Sequence, residues 1–371
     1  MTELALAFGQ RSLTGLRLLW LSFTAQWFMM VVPIIYLFTN FLLFERLPQH
    51  GVVQMLAVTV GILLFGLPIG LFTILFVRLV NYYETGKRPS RELFREIVSL
   101  VQSPNRIINA IPLIVALMFF NKALLELKIE IPVLHPFEWD LYFSKLDRQL
   151  HFGLDPWVLL QPFLGFDIAT TICNIFYGLW FFVMFGAFLW FGFQKQATEL
   201  RTRFFLAYMM LWFVGGGLMA LVFSSAGPAF YGDLGLPHNP YTELNKYLAD
   251  VNSRIPVWSV SAQRMLWDGY LNITKPIGIS AFPSMHNGTA FLIAISFRPV
   301  SKTLSNILFA FTAMVFLASI HLGWHYAVDG YAAFGLAMIC WWGAKPVAKF
   351  LHQQQSMERF NSELQRLECN E

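Results

Sequence analysis

Long apolar runs separated by short charged stretches set the pattern of this chain. A helix needs about 20 apolar residues to cross a bilayer, and eight runs read as spans: 16–44, 52–80, 107–125, 168–193, 204–223, 285–297, 304–320 and 326–344. The run at 285–297 is the shortest and follows Pro283, so it reads as a span with a broken or re-entrant start. The predicted fold is all-α and polytopic, with about eight transmembrane helices.

Two segments depart from this pattern. In 137–157, Phe137, Leu141, Phe143, Leu146 and Leu150 alternate with Asp140, Lys145, Asp147, Arg148 and His151. That mixture predicts an interfacial helix lying flat on the bilayer, with its acids and arginine solvated or structural. The connection 227–281 is long and carries Lys246, Arg254, Arg264 and Lys275. Long connections are often functional, and this one is expected to cap a site. The chain then divides into two N-terminal spans with a basic loop (1–106), a six-helix core (107–347) and a tail (348–371).

Lysines and arginines concentrate in alternate connections. Lys87, Arg88, Arg91, Arg95 and Arg106 fall in one loop, Lys195, Arg201 and Arg203 in another, Arg298 and Lys302 in a third. Lys345, Lys349, Arg359 and Arg366 fall at the end. By the positive-inside rule both termini are cytoplasmic. Residues 224–231, His286 and His325 then meet at the opposite, extracytoplasmic face.

Composition agrees. Of 371 residues 56% are hydrophobic and 13% charged, with a mean hydropathy of +0.54; soluble domains carry about 25% charged residues. The net charge of +4 is loop bias, and no basic–aromatic pattern points to nucleic acid. Cys173, Cys340 and Cys369 form no disulfide framework. The first apolar run is too long for a signal-peptide core and reads as a signal anchor. Gly215, Gly216 and Gly217 read as a close helix contact.

The candidate chemistry lies in 282–330. Ionisable residues at the edge of membrane helices are expensive and therefore functional candidates. His325 and Asp329 are four apart, so on a helix they share a face. A carboxylate on one ring nitrogen fixes the tautomer and leaves the other nitrogen to attack. His286 supplies a second imidazole from another helix, suited to a general acid. His321, His325 and Asp329 at i, i+4 and i+8 would also suit a metal on an unbroken helix. Gly323 is expected to interrupt that ladder, and no metal or other cofactor is expected.

Pro283-Ser284-x-His286, followed by Gly323-Trp324-His325-Tyr326-x-x-Asp329, resembles the second and third motifs of the type 2 phosphatidic acid phosphatase superfamily. The form is most similar to the branch containing inositol phosphorylceramide synthases. The resemblance implies a metal-independent enzyme with a six-helix core. His325 would be the nucleophile, Asp329 its partner and His286 the acid, with Ser284 and nearby backbone N–H groups on the phosphate. Ser319, His321, Ser225, Tyr231, Arg254 and Lys275 are further candidates for phosphate or substrate contact.

The chain departs from the phosphatase branch in three places. Ser319 stands where that branch has an arginine, and Met285 where a glycine is usual. The lysine-to-Arg-Pro first motif has its nearest match in Lys246, Arg254 and Pro256, at the wrong spacing. In its place, Ser224 to Tyr231 resembles a Pro-aromatic-Tyr stretch of the synthase branch. The expected activity is phosphotransfer from a lipid diester at a membrane. Two alternatives remain: a lipid monoester phosphatase acting on phosphatidic acid or a polyprenyl phosphate, and a non-catalytic scaffold or transporter.

Overall fold

A computed structural model describes residues 15–44, 104–271 and 278–369, together with Phe76 and Leu79. The span expected at 52–80, apart from those two residues, the basic loop up to residue 103 and Lys275 lie outside the described residues. The described residues are helical, with no strand among them. Five helices among them are long and apolar enough to cross a membrane: Trp27–Phe44, Asn105–Leu134, Asp167–Gly192, Glu199–Val222 and Lys302–His321. The expected count of eight is thus met by five on these grounds. The run at 285–297 forms a helix of only 12 residues, Met285–Ser296. The last expected span forms a 26-residue helix, Ala327–His352, which is not among those five.

The chain forms two compact units. The first comprises residues 1–121, 185–207 and 341–371. A helix over 15–25 is broken at Gln26, and a short 3₁₀ turn, Trp27–Met30, leads into α1 (Val31–Phe44). The break has a polar cause. Gln26 Nε2 donates to Ser22 Oγ and to both the carbonyl and side-chain oxygens of Asn109, while its Oε1 accepts from Arg201 at 2.6 Å. Arg201 is wholly buried and also donates to the Asn109 carbonyl at 2.8 Å. The C-terminal helix of this unit, Gln355–Cys369, buries Met357, Phe360 and Leu364 on one stripe, as an amphipathic helix does.

The second unit comprises residues 122–184 and 208–340 and holds every site residue discussed below. In chain order its helices are α2 (Pro104–Leu134, entering from the first unit), α3 (Asp140–Leu150), α4 (Pro156–Leu164) and α5 (Asp167–Gly192). They continue with α6 (Glu199–Phe213), α7 (Thr242–Arg254), α8 (Trp258–Tyr270), α9 (Met285–Ser296), α10 (Lys302–His321) and α11 (Ala327–His352).

Two backbone features place the site. After α6 the chain forms one π-helical turn, Val214–Met219, around the three glycines; such turns often accompany function. A Cβ on Gly215 would meet Met285 Cε at 2.7 Å and Leu336 Cδ2 at 2.8 Å. Gly215 and Gly216 therefore make a close contact, as expected, and their gap receives Met285, next to His286. At the other end α10 stops at His321 and Gly323 takes a φ of 72°, which glycine adopts without steric cost. The chain reverses there and restarts as α11, so the helical ladder is interrupted as expected.

Candidate functional site

Three helix ends meet: the start of α9, the end of α10 and the start of α11. Ser284 is the N-cap of α9 and accepts from the Asn287 N–H, while its own N–H donates to the Asp329 carbonyl at 3.0 Å. Ser284 thus serves as a cap and ties α9 to α11. His286, the second residue of α9, stacks on Tyr177 with ring centroids 4.7 Å apart and lies 4.2 Å from Trp180. Trp180 Nε1 donates to the His286 carbonyl at 2.8 Å. Aromatic rings from α5 therefore hold both the imidazole and its backbone.

His325 Nδ1 lies 3.2 Å from Asp329 Oδ2, which also accepts the Tyr326 N–H at 3.0 Å. With Asp329 as the acceptor, Nδ1 is the nitrogen that it engages and Nε2 is the one that it does not; the Ala281 backbone also interacts with the ring. Asp329 is fully buried and His325 nearly so. The ring centroids of His325 and His286 are 6.3 Å apart.

The remaining predicted residues separate into groups. Ser319 is buried, donates to the Phe316 carbonyl at 2.7 Å and accepts from Asn287 Nδ2; its own carbonyl accepts the N–H groups of Trp324 and His325. It braces the turn beside the pair. His321 is turned away: its Nε2 pairs with Thr170 Oγ1 at 2.9 Å, and Thr170 with the Tyr247 hydroxyl at 2.7 Å. Ser225 donates to Asp140, and Tyr231 is buried against Tyr241. Arg254 pairs with Asp167 through two bonds of 2.8 and 2.9 Å and with Asp250, which holds its guanidinium above its ordinary pKa. It is not gathered with the histidines.

The long connection is largely helical, as α7 and α8, and it touches the reversal of the chain. Ala229 N–H donates to the Gly323 carbonyl at 2.8 Å, and Gln263 Nε2 to that of Leu322 at 2.8 Å.

The sequence reading missed two features. Lys128 lies on α2, with Nζ 5.6 Å from the Trp212 ring centroid. Its ammonium is close enough to interact electrostatically with both His286 and His325. A lysine within an apolar stretch was the available signal. The second feature is the carboxylate face of α3. Asp140, read from sequence as solvated or structural, is buried and accepts from Ser225 Oγ, the Ala226 and Gly227 N–H groups and the Tyr326 hydroxyl, all between 2.8 and 3.0 Å. Asp147, also buried, accepts the Ala327 N–H at 2.7 Å and the Val328 N–H at 2.9 Å. Burial raises the pKa of both carboxyls against these donors, that of Asp147 to about 7. Arg148 alone of the three is part-exposed and pairs with Asp155.

Fold and site together define a multi-pass helical membrane protein with a histidine–histidine–aspartate centre at one meeting of helix ends. The chain belongs to the PAP2 superfamily, whose family model matches residues 141–343. Membership implies a membrane phosphatase- or phosphotransferase-type function. No curated protein and no solved structure matches the chain.

Proposed function

We propose that the chain is an integral-membrane phosphotransferase that moves a phospho-head group from a lipid diester to a hydroxyl acceptor through a phosphohistidine. The observation that carries this reading is the His325 ring, held through Nδ1 by Asp329 and facing His286 with 6.3 Å between centroids. Phosphoryl transfer needs chiefly positioning and charge compensation. Nε2 of His325 attacks phosphorus, the bond from phosphorus to the leaving oxygen breaks, and His286 gives that oxygen a proton. The neutral His286 then takes the proton of the acceptor hydroxyl, whose oxygen attacks phosphorus. The P–N bond breaks and His325 is regenerated. Lys128 offsets the charge on the non-bridging oxygens.

The choice of donor follows from charge. A phosphate monoester carries nearly two negative charges at neutral pH, and a diester one. Among the described residues Lys128 is the cation felt by both histidines, while Arg148 and Arg254 are already paired with acids. A second, uncompensated charge in a buried site is costly. The uncharged Ser319 in the arginine's place points the same way. Loop charges favour an extracytoplasmic site with cytoplasmic termini, and the lipid enters sideways from the bilayer.

The test is purified protein in one detergent, offered a defined lipid phosphodiester with a hydroxyl acceptor and, separately, phosphatidic acid or a polyprenyl phosphate. Products are identified by mass spectrometry. Faster head-group transfer from the diester is expected. Faster release of inorganic phosphate from monoesters would make the protein a lipid phosphate phosphatase, and folded protein that turns over neither would be a non-catalytic scaffold or transporter.

A further inference from the structure

We propose that Asp147 is a positioning residue: it holds the first turn of α11, and with it the His325–Asp329 pair, in the geometry that attack requires. The proposal rests on the phosphotransfer reading above. The first N–H groups of a helix have no partner within it, and a carboxyl oxygen can accept from them. At α11 three consecutive donors are satisfied by carboxylates. The Tyr326 N–H goes to Asp329, and those of Ala327 and Val328 go to Asp147.

Two consequences follow. None of these three N–H groups is left to cradle a phosphate, so its charge falls to Lys128 rather than to this helix start. Asp329 is also the third residue of α11, two beyond Ala327, so its direction follows the placement of that turn.

The brace is two-sided. Asp140, seven residues before Asp147 on the same inward face of α3, accepts the Tyr326 hydroxyl at 2.8 Å and fastens residues 225–227. Both carboxylates are at most 1% exposed. The segment from His325 to Asp329 is thus fixed from α3, while His286 is fixed from α5. Alignment of the two imidazoles depends on both supports. A misplacement of about 1 Å at such a centre can cost about 100-fold in rate.

The test uses the full chain in detergent, with Asp147→Ala and Asp147→Asn. Active sites are counted by trapping the phosphohistidine from a labelled lipid diester, and hydrogen exchange is followed in the peptide covering 325–330. Asp147→Ala is expected to lower kcat per active site about 10- to 100-fold with KM within about threefold, and to raise exchange in that peptide. Asp147→Asn keeps one carbonyl acceptor and is expected to recover part of both. Unchanged kcat per site in Asp147→Ala, or a rise confined to KM, would overturn the proposal. If the wild type forms no phosphohistidine at all, the functional reading fails separately. Exchange then decides alone: an unaltered 325–330 peptide overturns the brace, and faster exchange supports it.

Discussion

His325 Nδ1 and Asp329 Oδ2 lie 3.2 Å apart in a contact buried on both sides, which engages Nδ1 and assigns the attack to Nε2. His325→Ala should abolish turnover. Asp329→Asn should leave the helix start in place, because an amide oxygen still accepts the Tyr326 N–H, yet it no longer enforces the tautomer. By analogy with the serine-protease carboxylate, loss of such a partner lowers kcat by about 10⁴. Steady-state kinetics with phosphohistidine trapping checks this, and full activity in His325→Ala would remove the nucleophile assignment.

Among the described residues, Lys128 is the cation whose charge acts on both histidines, which makes it the next residue to change. Lys128→Met removes the charge and keeps much of the length. By comparison with the loss of one oxyanion donor, kcat/KM should fall about 10²- to 10³-fold. Lys128→Arg should recover part of it, since the charge returns with a different, planar geometry. Equal kinetics for wild type and Lys128→Met on the lipid diester would show that the phosphate is compensated elsewhere.

The histidines and aspartate were legible because their spacing survives any small error in helix bounds: i, i+4 pairing and a shared membrane edge need only coarse topology. Lys128 was not, because Glu126, Lys128 and Glu130 made the stretch after Leu125 look like the end of a span. The helix instead continues to Leu134, with Lys122 and Glu126 paired at 3.1 Å. For the α3 carboxylates the sequence left solvated and structural roles open for a related reason. An amphipathic pattern tells which residues share a face, not which face is buried. Here Asp140, Phe143, Ser144 and Asp147 are buried while Tyr142 and Leu150 are exposed, so the two acids are structural. Arg254 looked like a loop cation because one of its two acid partners, Asp167, lies 87 residues away in sequence, although the other, Asp250, is four residues before it.

Topology is testable independently of activity. Phe152 is 96% exposed beyond the end of α3, and Lys87 lies in the basic loop. In a background without Cys173, Cys340 and Cys369, Phe152→Cys should react with an impermeant maleimide in intact cells. Lys87→Cys should react only after permeabilisation. Labelling of Lys87→Cys from outside would invert the orientation and place the histidines on the cytoplasmic side.

The α3 brace carries a pH signature whose sign can be worked out. Asp147 sits near Asp329, His151, Tyr241 and Tyr331. Burial is the largest influence on it and raises its pKa to about 7; the Asp329 charge adds to that, while the Ala327 and Val328 N–H groups and His151 oppose it. The native state therefore holds a proton that the unfolded chain, with an ordinary carboxyl near 3.8, has already released. Stability from this group is fully present below about pH 4 and is lost as pH rises through about 7. One pKa unit corresponds to about 1.4 kcal/mol, so the whole change, from 3.8 to about 7, is at most about 4.5 kcal/mol. Asp140 shifts in the same direction and is unchanged in the comparison that isolates Asp147. Between pH 4 and 8 the thermal midpoint of wild type in detergent should fall relative to that of Asp147→Asn, whose amide does not titrate. Parallel curves for the two proteins would mean that Asp147 is ionised throughout, with its two backbone donors outweighing burial. A wild-type midpoint that rose relative to the variant would reverse the sign, and with it the conclusion that burial dominates at this carboxylate.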